Sequence, residues 1–299
     1  MALSGNQKGL LWISSSVLGA TGMSLCVRGL GGLVPVVEIV TVRCAIGLVV
    51  FGAAVMWRKS GPVWNERWRW HAARGGLTIA ALYFGYYSLT HLPMATATVL
   101  FFTAPLWVTV FSIPIFGETP GWRRTLAMAT GFIGVIIVLR PATAGFDPLL
   151  LIPLGSSLCF SLVLLIGKHL SKSDPPEIMM VYAMTMALIA TAPFTAYAWV
   201  TPDLFAWALL IGVSLFGMVR GYSDIQAYAN GEPSILVPIQ YTRLVFVAIG
   251  AFIFFQEVPD AYTVAGAAVI VAATLYIARR ESLLAKEGRI KKAAGGAGP

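Results

Sequence analysis

Apolar residues run along this 299-residue chain in long stretches, and breaking them at clusters of charge, Pro and Gly predicts ten helices. They lie near residues 9–27, 34–57, 75–92, 95–117, 122–139, 149–168, 178–200, 204–227, 233–256 and 260–278. A stretch of about 20 apolar residues is long enough, as a helix, to cross the hydrocarbon core of a bilayer. The predicted fold class is therefore an all-α integral membrane protein with ten transmembrane helices. Composition points the same way: 58% of residues are hydrophobic and 11% are charged. A soluble domain carries about 25% charged residues, so most of this surface must face lipid. Ten spans leave only short loops and no room for a separate soluble domain.

An even number of spans puts both termini on one side. On that side fall Lys8, Arg58, Lys59, Arg67, Arg69, Arg74, Arg123, Arg124, Lys168, Lys172, Arg279, Arg280, Lys286, Arg289, Lys291 and Lys292, while only Arg28 and Arg140 face the other. Basic loops stay in the cytoplasm, so both termini are expected there, in a bacterial inner membrane. The net charge of +8 has the same origin. The expected partners are the lipid bilayer and a small molecule, with no nucleic acid, and the expected state is a monomer. Trp57, Trp64, Trp68 and Trp70 sit among basic residues and suit a headgroup belt. The polar, basic tail 281–299 is expected to be disordered. The first apolar run is read as a retained helix, not a signal peptide. Cys26, Cys44 and Cys159 form no CxxC pair, so neither a zinc site nor a disulfide framework is indicated, and no cofactor is expected.

Sliding the chain against itself by 139 positions aligns Glu38 with Glu177, Tyr83 with Tyr222, Thr103 with Thr242, Glu118 with Glu257, Pro120 with Pro259 and Arg140 with Arg279, without a gap. Ser15-Ser16 and Ser156-Ser157 nearly join the series. The pattern indicates two repeats, 1–141 and 142–280, followed by the tail. Five spans per unit is an odd number, so the second unit enters the membrane from the opposite face. Inverted repeats give one structure two related states, open to either side, with a substrate site near the midplane.

One motif carries a family resemblance. The stretch from Phe116, Phe-Gly-Glu-Thr-Pro-Gly-Trp-Arg-Arg-Thr-Leu-Ala-Met-Ala-Thr-Gly-Phe-Ile-Gly-Val-Ile-Ile-Val, has an echo from Phe255, Phe-Gln-Glu-Val-Pro-Asp-Ala-Tyr-Thr-Val-Ala-Gly-Ala-Ala. Together they resemble the hallmark of the EamA-type drug/metabolite transporters, and the likeness spans nearly the whole chain. The second copy departs from the pattern by Gln256 where glycine is usual. The resemblance implies ten helices in two inverted five-helix repeats and export of amino acids or other metabolites, as in the YddG-type aromatic amino-acid exporters. Glu118 and Glu257, beside Pro120 and Pro259, read as helix-start residues.

Ionisable groups inside a span cost about 2.5 to 3.5 kcal/mol each on insertion scales, which makes each a functional candidate. They are Glu38 and Arg43 in the second helix, Arg220 and Asp224 in the eighth, and Arg243 in the ninth. Arg220 and Asp224, four apart, can neutralise one another. Glu38 and Arg43, five apart, point in different directions. Arg43 and Arg243 have no local partner, and either a substrate carboxylate, a backbone carbonyl at a kink or an acid on another helix would supply one. Gln240, Tyr241 and Thr242 flank Arg243. Pro105 and Pro238 sit in equivalent helices of the two repeats and are expected to kink them. Tyr83, Tyr87, Thr103, Trp107, Ser157 and Tyr241 are further candidates to line an amphipathic pocket, each also explicable as a packing residue. Gly131 and Gly134 suit close helix packing.

His71, His91 and His169 form no HExxH-like spacing, and no filter repeat or P-loop is present, which disfavours an intramembrane enzyme, a channel or an ATP-driven pump. The expected function is a secondary transporter of amino acids, aromatic ones included, or related metabolites, working as an exporter. Other metabolites or lipophilic drugs are the alternative substrates. Proton coupling and facilitated efflux both stay open.

Overall fold

The computed structural model describes residues 5–58, 66–116, 122–141, 147–170, 174–231 and 233–295. All regular structure among them is helical. The helices are α1 (Gly5–Gly29), α2 (Val36–Arg58), α3 (Trp68–His91), α4 (Met94–Phe101), α5 (Ala104–Phe116), α6 (Trp122–Leu139), α7 (Leu151–Leu170, led in by a 3-10 turn at Pro148–Leu150), α8 (Pro176–Ala198), α9 (Leu204–Asn230), α10 (Pro233–Gln240), α11 (Thr242–Phe255) and α12 (Ala261–Gly295). Among the described residues eight stretches are long and apolar enough to cross a membrane, counting α4 with α5 and α10 with α11 as one each. The two rods outside that set are α3, whose first turns carry Arg69, His71 and Arg74, and the shorter α6.

The fourth and ninth predicted spans are each broken in two, at Phe102–Thr103 and at Tyr241. Phe102 and Tyr241 are 139 residues apart, so both breaks fall at one position of the repeat. Pro105 stands at the second position of α5 rather than inside a continuous helix. It has no N–H for the Phe101 carbonyl, and its ring crowds that carbonyl, which accounts for the turn just before it. Pro238 lies inside α10, three residues ahead of the second break.

Two further expectations meet the structure differently. The segment 281–295 continues α12 instead of being irregular. Its Glu, Leu, Ala, Lys and Arg residues are strong helix formers, and extending a helix already nucleated costs little. Gln256 is the left-handed C-cap of α11, with φ 56°. That conformation favours glycine, which is why glycine is usual there, and the first repeat has Gly117 at the matching position. Glu118, Thr119 and Pro120, together with Lys59, Trp64, Lys172 and the last four tail residues, lie outside the described residues.

Helix pairing follows the duplication. α1 packs along α9 as α7 packs along α3, while α2 meets α8 and α6 meets α12. In the α2–α8 pair, Glu38 at the start of α2 accepts from the Val200 N–H beyond the end of α8, and Arg58 at the end of α2 pairs with Glu177 at the start of α8. The two helices are thus antiparallel. α6 and α12 are too, since Arg140, just past α6, pairs with Asp260, just before α12. Helices that correspond in the two repeats run in opposite directions, which is the geometry of an inverted duplication.

In lipid, helix association rests on close packing and interhelical hydrogen bonds. Gly134 and Gly266 bring α6 and α12 together so closely that a Cβ on Gly134 would stand 3.0 Å from the Gly266 carbonyl oxygen and 2.8 Å from the Ile270 side chain. Between α2 and α8 the hydroxyls of Thr41, Thr191 and Thr195 join at 2.6 to 2.7 Å. Large apolar side chains such as Val49, Ile189, Phe194, Ile253 and Phe254 point outward and are more than half exposed, as a lipid-facing surface requires.

The inter-loop contacts gather at two ends. At one, the Glu257 carboxylate accepts from Arg28 of α1 and from the Met94 N–H that opens α4, while Arg28 also donates to the Thr90 carbonyl. Arg140–Asp260 belongs to the same end. Glu257 therefore caps a helix of the other repeat, while Asp260 caps α12 itself through the Thr263 N–H. Burial opposes ionisation of Asp260, but the Thr263 and Arg140 bonds outweigh it and hold its carboxyl below the usual range. At the other end Asp174 meets His71 at 3.3 Å and Arg67 at 3.8 Å, and His71 is stacked on Tyr182.

Candidate functional site

Gly217, Arg220 and Asp224 fall on one face of α9 at spacings of three and four. Arg43 of α2 lies across Gly217, where a Cβ would come within 3.0 Å of its Nε, so glycine makes room for the guanidinium. That guanidinium stands 5.6 Å from the ring centroid of Tyr86, a cation–π distance. Tyr86 is buried on α3 and donates its hydroxyl to Met23 Sδ on α1. Arg43 Nη1 is buried with no hydrogen-bond partner.

Asp224 accepts a hydrogen bond from Ser16 of α1, and its other oxygen lies 3.8 Å from Arg220 Nε. The guanidinium of Arg220 stands 5.9 Å from the Phe160 ring of α7. Arg243 is the second residue of α11, immediately after the Tyr241 break. Its Nη2 donates to Ser24 Oγ at 3.1 Å, and its Nε is buried without a partner. Arg220 and Asp224 are its electrostatic neighbours, as Arg43 and Arg220 are those of Tyr86. Six helices, α1, α2, α3, α7, α9 and α11, thus contribute to the surroundings of three arginines and one carboxylate. Two positive charges stand in excess. Uncompensated charges out of water cost several kcal/mol each, so such a cluster persists for a reason other than stability.

The other residues singled out in the sequence are distributed around this cluster, not within it. Tyr241 is buried in the break, its ring packed at a tilt against Phe102 with centroids 4.8 Å apart, and its hydroxyl on Thr274. Since Phe102 and Tyr241 are repeat-related, the two breaks touch each other. Gln240 ends α10 beside them. Thr103 and Ser157 do come together, at 2.7 Å, with Thr103 also bonded to the Leu100 carbonyl of α4 and Ser157 to the Leu154 carbonyl of α7. Trp107 packs edge-on to Phe132, with its indole Nε1 buried and unpartnered. Tyr83 is exposed and stacks on Tyr87, which stacks on His91, a ladder on another face of α3 from Tyr86. Glu38 is buried at the start of α2 with its second oxygen unpaired.

Sequence reasoning missed Tyr86, Ser16, Ser24 and Gly217. The repeat alignment drew attention to Tyr83 and Tyr222, and both of these are exposed. The signal for Tyr86 is the small-residue face made with Gly85 and Ser88, which marks the buried side of α3.

The chain matches the EamA-like transporter family over residues 7–140 and again over 148–279. It belongs to that family. Among its relatives, an S-adenosylmethionine uptake transporter of Rickettsia prowazekii is 28% identical over 90% of this chain and 92% of its own length. A riboflavin transporter of Vibrio cholerae is 27% identical over 75% of this chain and 76% of its own. A pseudopaline exporter of Pseudomonas aeruginosa is 24% identical over 86% and 91%. A solved crystal structure covering 92% of this chain and 99% of its own has the same fold, with a TM-score of 0.64 at 19% identity. The family assignment makes the chain a multi-pass membrane transporter. The relatives named here are metabolite transporters, not aromatic amino-acid exporters.

Proposed function

We propose that this EamA-like protein is a secondary transporter that moves amino acids, or metabolites derived from them, across the bacterial inner membrane by alternating access. In this reading all ten rods cross the bilayer as two inverted repeats, residues 1–141 and 142–280. The termini are cytoplasmic and the working unit is a monomer. The observation that carries the proposal is Arg243: a guanidinium at a helix break, with Nε buried and unpaired, beside a cluster that already has more cations than anions. A substrate carboxylate is its natural partner. Broken helices at equivalent positions of two inverted repeats are the usual setting of a transporter site.

The choice of amino-acid chemistry leans on the S-adenosylmethionine transporters among the relatives, since that compound carries an amino-acid head. Aromatic amino acids remain in the panel through the sequence resemblance. Relatives named for uptake and for export share the family, so direction follows the substrate gradient, and the expected export holds where cytoplasmic substrate is in excess. Asp224 is engaged by Ser16 and Arg220, and Glu38 by Val200, which favours facilitated transport over proton antiport.

Counterflow tests this reading. Purified protein in liposomes preloaded with one unlabelled compound is offered the same compound labelled outside, across aliphatic and aromatic amino acids and S-adenosylmethionine. Transient accumulation is expected for at least one of them. Arg243→Gln is expected to lower it about ten- to a hundredfold, the worth of one charged hydrogen bond. Folded protein that accumulates none of them, or an Arg243→Gln variant with undiminished affinity, removes the assignment. Unchanged transport in Asp224→Asn and Glu38→Gln would favour facilitated movement over proton coupling.

A further inference from the structure

The two unpaired guanidinium nitrogens belong to different helices and approach the cluster from different sides. Arg43 comes from α2, resting on Gly217 of α9 and facing Tyr86. Arg243 comes from α11, anchored to Ser24 of α1. Each retains one buried N–H atom with nothing to bond, Nη1 in one case and Nε in the other. Asp224 serves neither as a short partner: one of its oxygens is taken by Ser16, and the other faces Arg220. Two cationic groups therefore wait for anions, and the charge count gives the same number, three arginines against one carboxylate.

A zwitterion with a single carboxylate satisfies one arginine, leaves the second unpaired and brings a further positive charge into a cationic site. A molecule with two separate anionic groups satisfies both and neutralises the cluster. Guanidinium forks suit carboxylates in two-point contacts, and an anion in a site shielded from water is held far more strongly than on a surface.

We infer that the preferred substrates are organic dianions bearing two separate carboxylates, one held by Arg43 and the other by Arg243, with Arg220 positioned between them by Asp224. This rests on the reading above that a substrate carboxylate pairs with Arg243, and it moves the preferred substrates from zwitterions with one carboxylate to metabolites with two. Specificity then depends on charge count as well as on side-chain shape: removing one carboxylate from a substrate removes one of the two anchors.

The test is counterflow with compounds of one carbon skeleton and different charge. Glutarate and 2-oxoglutarate carry two carboxylates, glutamate adds an ammonium, glutamine keeps a single carboxylate with its ammonium, and a phosphate monoester offers two charges on one group. The expected result is accumulation of the dicarboxylates at least tenfold above glutamine, and ligand-induced thermal stabilisation of detergent-solubilised protein by the dicarboxylates alone. Arg43→Gln should cut dicarboxylate transport at least tenfold and erase its advantage over glutamine, while Arg43→Lys restores part of it. Unfolding profiles and monodisperse elution separate loss of the site from loss of the fold.

Glutamine moved as well as glutarate overturns the inference and leaves the carboxylate reading standing. A phosphate monoester moved in preference to every dicarboxylate overturns the two-group arrangement. An Arg43→Gln protein that is folded and still prefers dicarboxylates overturns the role of Arg43. Failure of all these compounds and of all the amino acids in folded protein overturns both readings together.

Discussion

The α1–α9 and α7–α3 interfaces are copies of one another, and they are put to different uses. Along the first, Ser16 reaches the carboxylate of Asp224, Arg220 lies one turn away, and Arg43 and Arg243 close in from neighbouring helices. Along the second, the residues 139 positions earlier than Arg220 and Asp224 are Ala81 and Gly85. There the hydroxyl of Ser156 donates to the Ala81 carbonyl, and Gly85 lies directly beneath it. A serine on the matching helix meets a charge in one copy and backbone in the other. Duplication has kept the packing of both interfaces, while the charged chemistry is written on one.

That contrast predicts a double dissociation. In the charged interface, substitutions should remove transport and spare stability. In the packed interface they should do the reverse. The largest functional effect outside Arg243 is expected at Arg220. Arg220→Gln should lower counterflow at least tenfold, because it removes the cation between the two anion-seeking arginines. It should leave the unfolding temperature unchanged or raise it, since a half-buried cation in excess of its anions is a burden on the folded state. An Arg220→Gln protein that transports normally would make the two interfaces equivalent and end the comparison.

At the matching interface the expectation reverses. A Cβ at Gly85 would stand 3.1 Å from Ser156 Oγ, so Gly85→Leu forces α3 away from α7. Overpacking of this kind costs about 1 to 3 kcal/mol. Thermal unfolding in detergent should show the loss, and the folded fraction should retain its substrate preference. Full stability in Gly85→Leu would mean that the two helices pack less tightly than their glycine implies.

The sequence made the frame of this molecule readable and left most of its site obscure, for reasons visible in particular residues. Most of the long helices follow from apolar length, which eight stretches of the described residues satisfy outright, while α3 and α6 fall short of it. The 139-residue offset relates the two breaks to one another through Phe102 and Tyr241 but does not locate them, and the prolines of those helices do not align. Arg43, Arg220, Asp224 and Arg243 stood out because charge inside a span is costly wherever it falls. Their shared location was not legible, because it depends on which face of each helix turns inward. Tyr86 and Tyr83 differ by three positions on one helix, yet one lies under a guanidinium and the other is exposed. Ser16 and Ser24 are small, uncharged and unexceptional until the opposite helices are in place. Glu257, by contrast, reads in the sequence as a start residue of the helix that follows it, whereas its Met94 and Arg28 partners belong to the other repeat.

The finest version of the comparison uses the two serines themselves. Ser16→Ala takes from Asp224 a hydrogen bond to a charged group, worth about 1.5 to 3 kcal/mol, and frees the carboxylate to turn toward Arg220 or Arg243. A stronger internal ion pair competes with the substrate's own carboxylate, so the apparent affinity should weaken several-fold while the maximal rate changes less. Ser156→Ala removes a neutral bond to a carbonyl, worth about 0.5 to 1.5 kcal/mol, in a place with no charge to redirect. Its transport kinetics should match those of the unmodified protein, with a small fall in unfolding temperature. The pair is informative because the deleted atom is the same in both. If Ser156→Ala shifts the apparent affinity as much as Ser16→Ala does, the asymmetry between the copies is one of sequence only, and the site must extend across both interfaces.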